Sequence, residues 1–179
     1  MEVSFLKVFT MYMIGLSGSG KSTLAAVLEK RLRERGVPLQ VIDGDRLRRD
    51  LGELFGYTKE ERLKQGRVAL VLAKYLNQNG ISVIITAVAG YREAREQARR
   101  VIDKESYIQA YLDCTVEECA HRDVKGYYSN IGQMKNFCGS DQPYEVPADS
   151  EITVDVMNLN VEASAEQVFT YLQKHGYVE

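Results

Sequence analysis

The stretch Gly15-Leu16-Ser17-Gly18-Ser19-Gly20-Lys21-Ser22 decides the fold, because it follows the pattern G-x-x-x-x-G-K-S/T at every fixed position. Its glycines allow backbone N–H groups to turn inward around phosphate oxygens, at the positive end of a following helix. In such a loop Lys21 reaches the β- and γ-phosphates of a nucleotide, and the Ser22 hydroxyl binds Mg²⁺. The stretch therefore predicts an ATP or GTP site with Mg²⁺. The predicted nucleotide-binding residues are Gly15, Ser17, Gly18, Ser19, Gly20, Lys21, Ser22 and Thr23.

Strand-like and helix-like runs alternate outward from this loop. Val8 to Ile14 is apolar and precedes it, and Ser22 to Arg35 is amphipathic and follows it. Such alternation favours an α/β fold, a three-layer P-loop NTPase-type domain with a mainly parallel central sheet. No linker or repeat interrupts residues 1–179, which predicts a single domain. The remaining predicted strands are 39–42, 82–86, 107–112 and 152–156, and the remaining helices are 60–79, 92–102, a short one after Thr115, and 163–174.

Composition excludes several classes of protein. The 23 Lys+Arg and 25 Asp+Glu residues give a net charge of -2, whereas a protein that coats nucleic acid usually carries a strong basic excess. No apolar run approaches the roughly 18 residues that a membrane span needs. The cysteines Cys114, Cys119 and Cys138 are odd in number and lack CxxC spacing, which indicates buried thiols in a reducing, cytoplasmic setting.

The near-neutral total is an average over two unlike parts. Residues 1–135 hold 22 basic and 17 acidic residues, whereas residues 136–179 hold one basic and eight acidic residues. We therefore predict a locally basic cleft for small anionic nucleotides, closed by an acidic C-terminal segment.

Two carboxylates follow the second predicted strand, in the sequence Asp43-Gly44-Asp45. This place is the carboxyl edge of the sheet, where open α/β folds bind ligands. One carboxylate can hold the metal or its water, and the other can accept or orient a hydroxyl proton. A plain Asx-type turn is the alternative interpretation.

Arginines cluster beyond this pair. Guanidinium groups bind phosphate or sulfate bidentately, and an aromatic ring such as Tyr57 among them can stack on a base. The cluster predicts an anion pocket, whereas a later arginine run, at positions 92, 95, 99 and 100, predicts a solvated helix face. The clustered residues are Arg46, Arg48, Arg49, Arg62, Gln65 and Arg67.

Several further motifs occur in a fixed order, and together they resemble the adenylylsulfate kinase family. The resemblance runs from about Tyr12 to Pro147. It implies transfer of phosphate from MgATP to the ribose 3′-hydroxyl of adenosine 5′-phosphosulfate (adenylylsulfate). The matching motifs are Asp43-Gly44-Asp45-x-x-Arg48, Phe55-Gly56-Tyr57-Thr58-x-x-Glu61-Arg62, Arg122-Asp123-x-Lys125-Gly126-x-Tyr128, Lys135-Asn136-Phe137 and Asp141-x-Pro143-Tyr144-Glu145-x-Pro147.

The resemblance also implies roles for individual residues at the reaction centre. Lys21, Asp45 and Asp43 are the implied catalytic group. Asp45 would lie nearest the acceptor hydroxyl and, with Ser22, nearest the metal, whereas Asp43 would support it. Arg48 and Arg62 would hold the phosphosulfate.

Further implied contacts involve the two bases and a lid. Tyr57, which is usually Phe in the family, and Phe137 would sandwich the acceptor base, and Arg122 would lie against the ATP adenine. Residues of about 122–147 would form a lid that closes over both nucleotides and excludes water. A homodimer is also implied. The remaining implied acceptor contacts are Gln65, Lys135 and Asn136.

The chain departs from the family at four places. The family's Phe-Ile-Ser-Pro-Tyr-Arg turn is Ala87-Val88-Ala89-Gly90-Tyr91-Arg92 here, which removes the serine that some members phosphorylate. Gln65 occupies the position of an asparagine in the family pattern, and Val68 occupies the position of an arginine. The segment 129–132 is shorter and less basic, and Ser140 interrupts the usual Gly-Ile/Val-Asp.

These departures leave alternatives open. Loss of positive groups near the acceptor favours a less anionic acceptor, such as the cytidine-diphosphate-linked phosphoramidate that some relatives phosphorylate in surface-polysaccharide synthesis. A nucleotide-binding switch module without an acceptor is a different class. Its GTPase form requires a guanine-reading N-K-x-D sequence, which this chain lacks.

Overall fold

In the computed structural model, residues 7–52, 54–123, 126–130 and 136–179 are described. They form a sheet of five strands with six helices. The strands are β1 (Thr10–Ile14), β2 (Leu39–Asp43), β3 (Ser82–Ala87), β4 (Tyr107–Asp113) and β5 (Ile152–Asp155). The helices are α1 (Lys21–Glu34), α2 (Gly44–Asp50), α3 (Lys59–Gln78), α4 (Arg92–Val101), α5 (Val116–Arg122) and α6 (Val161–Lys174).

The sheet has the strand order β2-β3-β1-β4-β5, and every pair of neighbouring strands is parallel. Thr10 of β1 is paired with Val83 on one side and with Tyr107 on the other. The chain after β1 leads to β2 on one side, and the later strands β4 and β5 lie on the other. Such a reversal opens a crevice at the carboxyl ends of the strands. The predicted α/β fold with a mainly parallel sheet is confirmed.

Two apolar cores cover the faces of the sheet. On one face, α1 and α6 pack through side chains such as Leu28 and Val168, which are fully buried. On the other face, α3 and α4 pack through Leu70 and Ala98. All five residues of β1 are buried, as expected for a central parallel strand. The phosphate loop therefore starts from the most constrained strand of the fold.

The predicted helix ends agree with the observed caps. Thr115 accepts a hydrogen bond from the backbone N–H of Glu118 at 3.2 Å, which begins α5. Thr58 and Glu61 form a complete capping box at the start of α3. The three cysteines are buried and free, as predicted. None of the helices in the described part of the chain is long and apolar enough to cross a membrane.

The segment Asp43-Gly44-Asp45 leads into α2. The Asp43 carboxylate accepts hydrogen bonds from the backbone N–H groups of Asp45 and Arg46, and the first of these is the bond of an Asx-type turn. One sequence-based expectation is wrong. The arginine run on α4 is not uniformly solvated. Arg95 is only 5% exposed, and its guanidinium donates a 3.0 Å hydrogen bond to the carbonyl of Ala89.

We expect Leu28→Ala to lower the free energy of unfolding by about 2–5 kcal/mol, because it leaves a cavity in the core between α1, α6 and the sheet. Leu72→Ala on α3 is the matched control, since Leu72 is 43% exposed. It should cost less than about 1 kcal/mol. Urea unfolding followed by circular dichroism measures both values, and equal losses would contradict the assignment of this core.

Candidate active site

The phosphate loop connects the end of β1 to the first turn of α1. Gly20 is the N-cap residue of α1, and no side chain caps this helix end. The first N–H groups of α1 therefore face the loop and favour an anion there. Gly18 has a φ of +83°, and a Cβ atom at this position would lie 3.0 Å from the carbonyl oxygen of Cys119. Glycine is required at this position for both reasons.

Lys21 lies over the loop that it follows. Its ammonium donates hydrogen bonds to the carbonyls of Gly15 (2.9 Å) and Leu16 (2.6 Å) and to the Ser19 hydroxyl (3.4 Å). These contacts keep a positive charge inside the curve of the loop, where nucleotide phosphates bind in proteins with this motif.

Asp43 joins four elements at the carboxyl edge of the sheet. One oxygen of its carboxylate, Oδ1, caps α2 through the N–H groups of Asp45 and Arg46 at 3.1 and 3.0 Å. The other, Oδ2, accepts hydrogen bonds from the hydroxyls of Ser22 and Thr86, both at 2.8 Å. Because Ser22 donates its hydrogen to Asp43, the oxygen lone pairs of Ser22 are directed elsewhere and can meet a cation.

A cavity of about 470 Å³ lies between the phosphate loop and α2, α3 and β3. It brings together most of the predicted site residues, from segments that are distant in the sequence. The predicted residues that line it are Ser17, Gly18, Gly20, Lys21, Ser22, Thr23, Asp43, Asp45, Arg48, Tyr57, Arg62, Gln65, Asn136 and Phe137.

Two arginines flank the ring of Tyr57 in this cavity. The guanidinium carbons of Arg48 and Arg62 lie 4.3 and 5.3 Å from the ring centroid. Arg48 donates to the carbonyls of Phe55 and Gly56, both at 2.5 Å. Burial, followed in the same direction by the charge of Arg62, lowers the pKa of Arg48 from its ordinary value. Two like charges close to one ring favour an anion beside them.

Gln65 supports the acceptor side through the backbone. It is 7% exposed, and its amide donates a 2.7 Å hydrogen bond to the carbonyl of Gly44. This contact fixes α3 against the start of α2. Because Arg62 lies on α3, the contact also places Arg62 near Asp43 and Asp45.

Asn136 and Phe137 come from a segment far along the chain. The carbonyl of Asn136 accepts a 2.7 Å hydrogen bond from Arg62. The Phe137 ring is 6% exposed and packs edge-on against Tyr127 and Tyr128, with centroids 6.1 and 5.1 Å apart. The Tyr128 hydroxyl donates a 2.9 Å hydrogen bond to the carbonyl of Ser17. These contacts place part of the predicted lid against the phosphate loop.

Arg122 is not among the described residues that line the cavity. Lys125 and Lys135 lie outside the described residues. Arg122 lies at the end of α5, where it donates to Glu118 at 2.8 Å and to the carbonyl of Val156 at 2.9 Å. Its predicted contact with the ATP adenine stays a prediction.

The acidic C-terminal segment does not close the cleft in the way that its composition predicts. Glu162 and Glu166 of α6 pair with Arg31 at 2.8 and 2.9 Å, on the face of the sheet opposite α3. Glu151 pairs with Arg99 at 2.7 Å. These three of the eight acidic residues of this segment therefore pair with arginines outside the cavity.

Thr86 is among the cavity residues that sequence reasoning missed; it lines the cavity and donates to Asp43. The sequence carried no signal for Thr86, because its role depends on a contact between separate elements. Ala89, which stands where the family has its serine, has a φ of +46°, uncommon for a residue with a Cβ atom, and its carbonyl accepts a hydrogen bond from Arg95.

Comparisons with known proteins agree on one family. The family profile described as Adenylylsulphate kinase matches residues 7–155. An adenylyl-sulfate kinase of Halothermothrix orenii is 38% identical over 96% of this chain and 93% of its own length. One from Clostridium acetobutylicum is 39% identical over 92% and 83%. The APS kinase CysC of Mycobacterium tuberculosis, solved in complex with AMPPNP and APS, has a TM-score of 0.88 at 30% identity, covering 94% of this chain and 99% of that one.

We expect Gly18→Ala to weaken ATP binding at least about tenfold, because the added Cβ atom meets the Cys119 carbonyl and deforms the phosphate loop. Gly36→Ala is the matched control. Gly36 also has a positive φ, of +73°, but open space surrounds it at the end of α1. It should lower stability by about 1 kcal/mol and leave ATP affinity unchanged. Isothermal titration calorimetry with ATP separates the two effects, and equal affinities for both variants would contradict the role of Gly18.

Proposed function

The chain belongs to the adenylylsulphate kinase family, and from that premise we propose that it transfers the γ-phosphate of ATP to the 3′-hydroxyl of adenosine 5′-phosphosulfate. The observation that carries this proposal is the single cavity that joins a phosphate loop, an aspartate pair and a pair of arginines around an aromatic ring. Phosphoryl transfer requires little more than positioning and charge stabilisation, and this cavity supplies groups for both.

The donor half of the cavity, formed by the phosphate loop and the start of α1, is where the triphosphate of ATP would bind. The open N-terminus of α1 and the Lys21 ammonium provide positive charge where the β- and γ-phosphates bind in proteins with this motif. Because these donors are held by the loop before reaction, little reorganisation is needed as charge moves during transfer.

The residues beside the donor half fit Mg²⁺. The Ser22 hydroxyl and the Asp45 carboxylate line the same cavity, and Mg²⁺ prefers oxygen ligands from one or two side chains together with substrate phosphates. When bound, Mg²⁺ would supply positive charge that stabilises the negative charge of the phosphate oxygens. Asp43 directs the Ser22 oxygen by accepting its hydrogen, so Asp43 supports the metal site through Ser22.

Asp45 is the better of the two aspartates to receive the acceptor hydroxyl. Asp43 already accepts four hydrogen bonds, which match the roughly four lone-pair sites of a carboxylate. Asp45 lies in the first turn of α2 and lines the cavity. We assign it to orient the acceptor hydroxyl and to take its proton as the oxygen attacks the γ-phosphorus.

The acceptor half suits a nucleotide with a strongly anionic group. Arg48 and Arg62 present two guanidinium groups to this end of the cavity, and each can pair with phosphate or sulfate oxygens. The Tyr57 ring is 50% exposed and therefore available for a base to stack on. Phe137 provides the second ring, although it packs on Tyr127 and Tyr128 in this structure.

Two further properties stay predictions. The resemblance implies a homodimer, which size-exclusion chromatography with light scattering would measure, and the odd number of cysteines without CxxC spacing indicates a cytoplasmic location. The relatives considered above are themselves adenylyl-sulfate kinases, which favours this acceptor over a cytidine-diphosphate-linked phosphoramidate and over a switch without an acceptor.

We expect Asp45→Asn and Asp43→Asn to fail in different ways. Asp45→Asn should lower kcat by about 10²–10⁴, because the side chain can no longer take the acceptor proton and is a poorer oxygen ligand for Mg²⁺. Asp43→Asn should lower the free energy of unfolding by about 1–3 kcal/mol as well, since an amide cannot accept all four hydrogen bonds. Steady-state kinetics and thermal unfolding test both. Full turnover in Asp45→Asn would refute its assigned role.

We expect adenylylsulfate to be the preferred acceptor in a panel with MgATP, because it offers an adenine and an adjacent phosphosulfate to Tyr57 and the two arginines. The panel also contains a cytidine-diphosphate-linked phosphoramidate and AMP, with products identified by mass spectrometry. Lys21→Ala is the control and should lower the rate at least about 10²-fold. Preference for the cytidine compound would overturn the proposed acceptor, and ATP hydrolysis with no phosphorylated product would favour the switch.

A further inference from the structure

The segment of residues 136–145 carries Asn136 and Phe137 into the cavity and is folded on itself. The Asp141 carboxylate accepts hydrogen bonds from the backbone N–H groups of Asn136 (2.7 Å) and Phe137 (2.6 Å). These bonds lower the pKa of Asp141 from its ordinary value. The carbonyl of Phe137 in turn accepts from the N–H groups of Ser140 and Gln142. These hydrogen bonds hold the segment in one compact conformation. The contacts that attach the segment to the rest of the protein therefore determine the position of Phe137.

One attachment lies at the start of α4. The N-cap residue of this helix, Tyr91, makes no capping hydrogen bond with its side chain. The carboxylate of Glu145 accepts a hydrogen bond from the backbone N–H of Arg92, the first residue of α4. The N–H of Glu145 donates back to the carbonyl of Gly90 at 2.8 Å. Glu145 thus caps a helix that is more than fifty positions away in the sequence.

The neighbouring contacts are close enough to make this attachment specific. A Cβ atom at Gly90 would lie 3.0 Å from the Sγ of Cys138 and 3.3 Å from Cδ2 of Tyr144. The Tyr91 hydroxyl donates a 2.8 Å hydrogen bond to the side-chain oxygen of Gln142. The absence of a side chain at Gly90 therefore allows the segment to pack directly against the backbone that precedes α4.

We propose that Glu145 is a positioning residue for the acceptor site, because its carboxylate caps α4 and thereby holds the 136–145 segment, with Phe137 and Asn136, over the cavity. The proposal rests on the proposed function only for the identity of the acceptor. A carboxylate near the first turn of a helix is favourable both as a hydrogen-bond acceptor and as a charge opposite the helix dipole. Glu145 is not among the described residues that line the cavity, whereas Phe137 and Asn136 are, so the contact acts through these two residues.

This arrangement predicts which kinetic constant changes. Glu145 is connected to the acceptor half through Phe137 and Asn136, whereas the phosphate loop is held by β1 and α1. Loss of the cap should therefore raise the KM for the acceptor and leave the KM for ATP and kcat nearly unchanged. An N-cap side chain is worth a factor of about five in an equilibrium.

The first test uses the protein without ligands. Hydrogen exchange measured by mass spectrometry should show amides of residues 136–145 exchanging about fivefold faster in Glu145→Ala than in the wild type. Glu145→Gln keeps a side-chain oxygen that can accept from Arg92, and it should stay within about twofold of the wild type. Glu93→Gln is the matched control, because Glu93 lies in the first turn of α4 but pairs with Lys59 at 3.0 Å.

The second test measures KM values with MgATP and adenylylsulfate for the same three variants. A KM increase of about fivefold for the acceptor alone, in Glu145→Ala only, supports the proposal. Unchanged exchange in residues 136–145, or equal increases in both KM values, overturns it. The exchange experiment needs no acceptor, so it decides the role of Glu145 even if adenylylsulfate proves not to be the substrate.

Discussion

The Asp43 carboxylate is the interaction on which the site depends. Asp43 is the last residue of β2. Its carboxylate accepts hydrogen bonds from Ser22 on α1 and Thr86 on β3, and it caps α2. These elements meet at the carboxyl edge of the sheet because every strand runs in the same direction. A single side chain therefore fixes the start of α1, which follows the phosphate loop, relative to the start of α2. Removal of Oδ2 would leave the hydroxyl donors of α1 and β3 without their partner, and removal of Oδ1 would leave two N–H groups of α2 without theirs.

Charge is distributed to leave the cavity basic within a protein that is slightly acidic overall. Arg31 and Arg99 are neutralised by C-terminal glutamates on the outside of the fold. Arg48 and Arg62 instead use their donors on backbone carbonyls and keep a net positive charge beside Tyr57. A carbonyl satisfies a guanidinium N–H without cancelling its charge. The difference between these two kinds of partner explains why only the second pair is suited to a phosphosulfate.

The acceptor side is assembled from parts that are attached independently. Gln65 holds α3 to Gly44, whereas Asp141 and Glu145 shape and attach the segment that carries Phe137. The donor side is built mainly on one local connection, because its loop lies between β1 and α1. Its contacts with distant segments include those with Cys119 and Tyr128.

Local sequence determined the phosphate loop, the alternation of strands and helices, and the cap at Thr115. Each of these depends on backbone conformation or side-chain periodicity over a few residues. Tertiary structure alone decided that Arg95 is buried, that the C-terminal glutamates pair outside the cleft, and that Glu145 caps α4. These outcomes depend on which distant groups meet, and a charged residue has the same local pattern whether its partner is water, a carbonyl or a helix end.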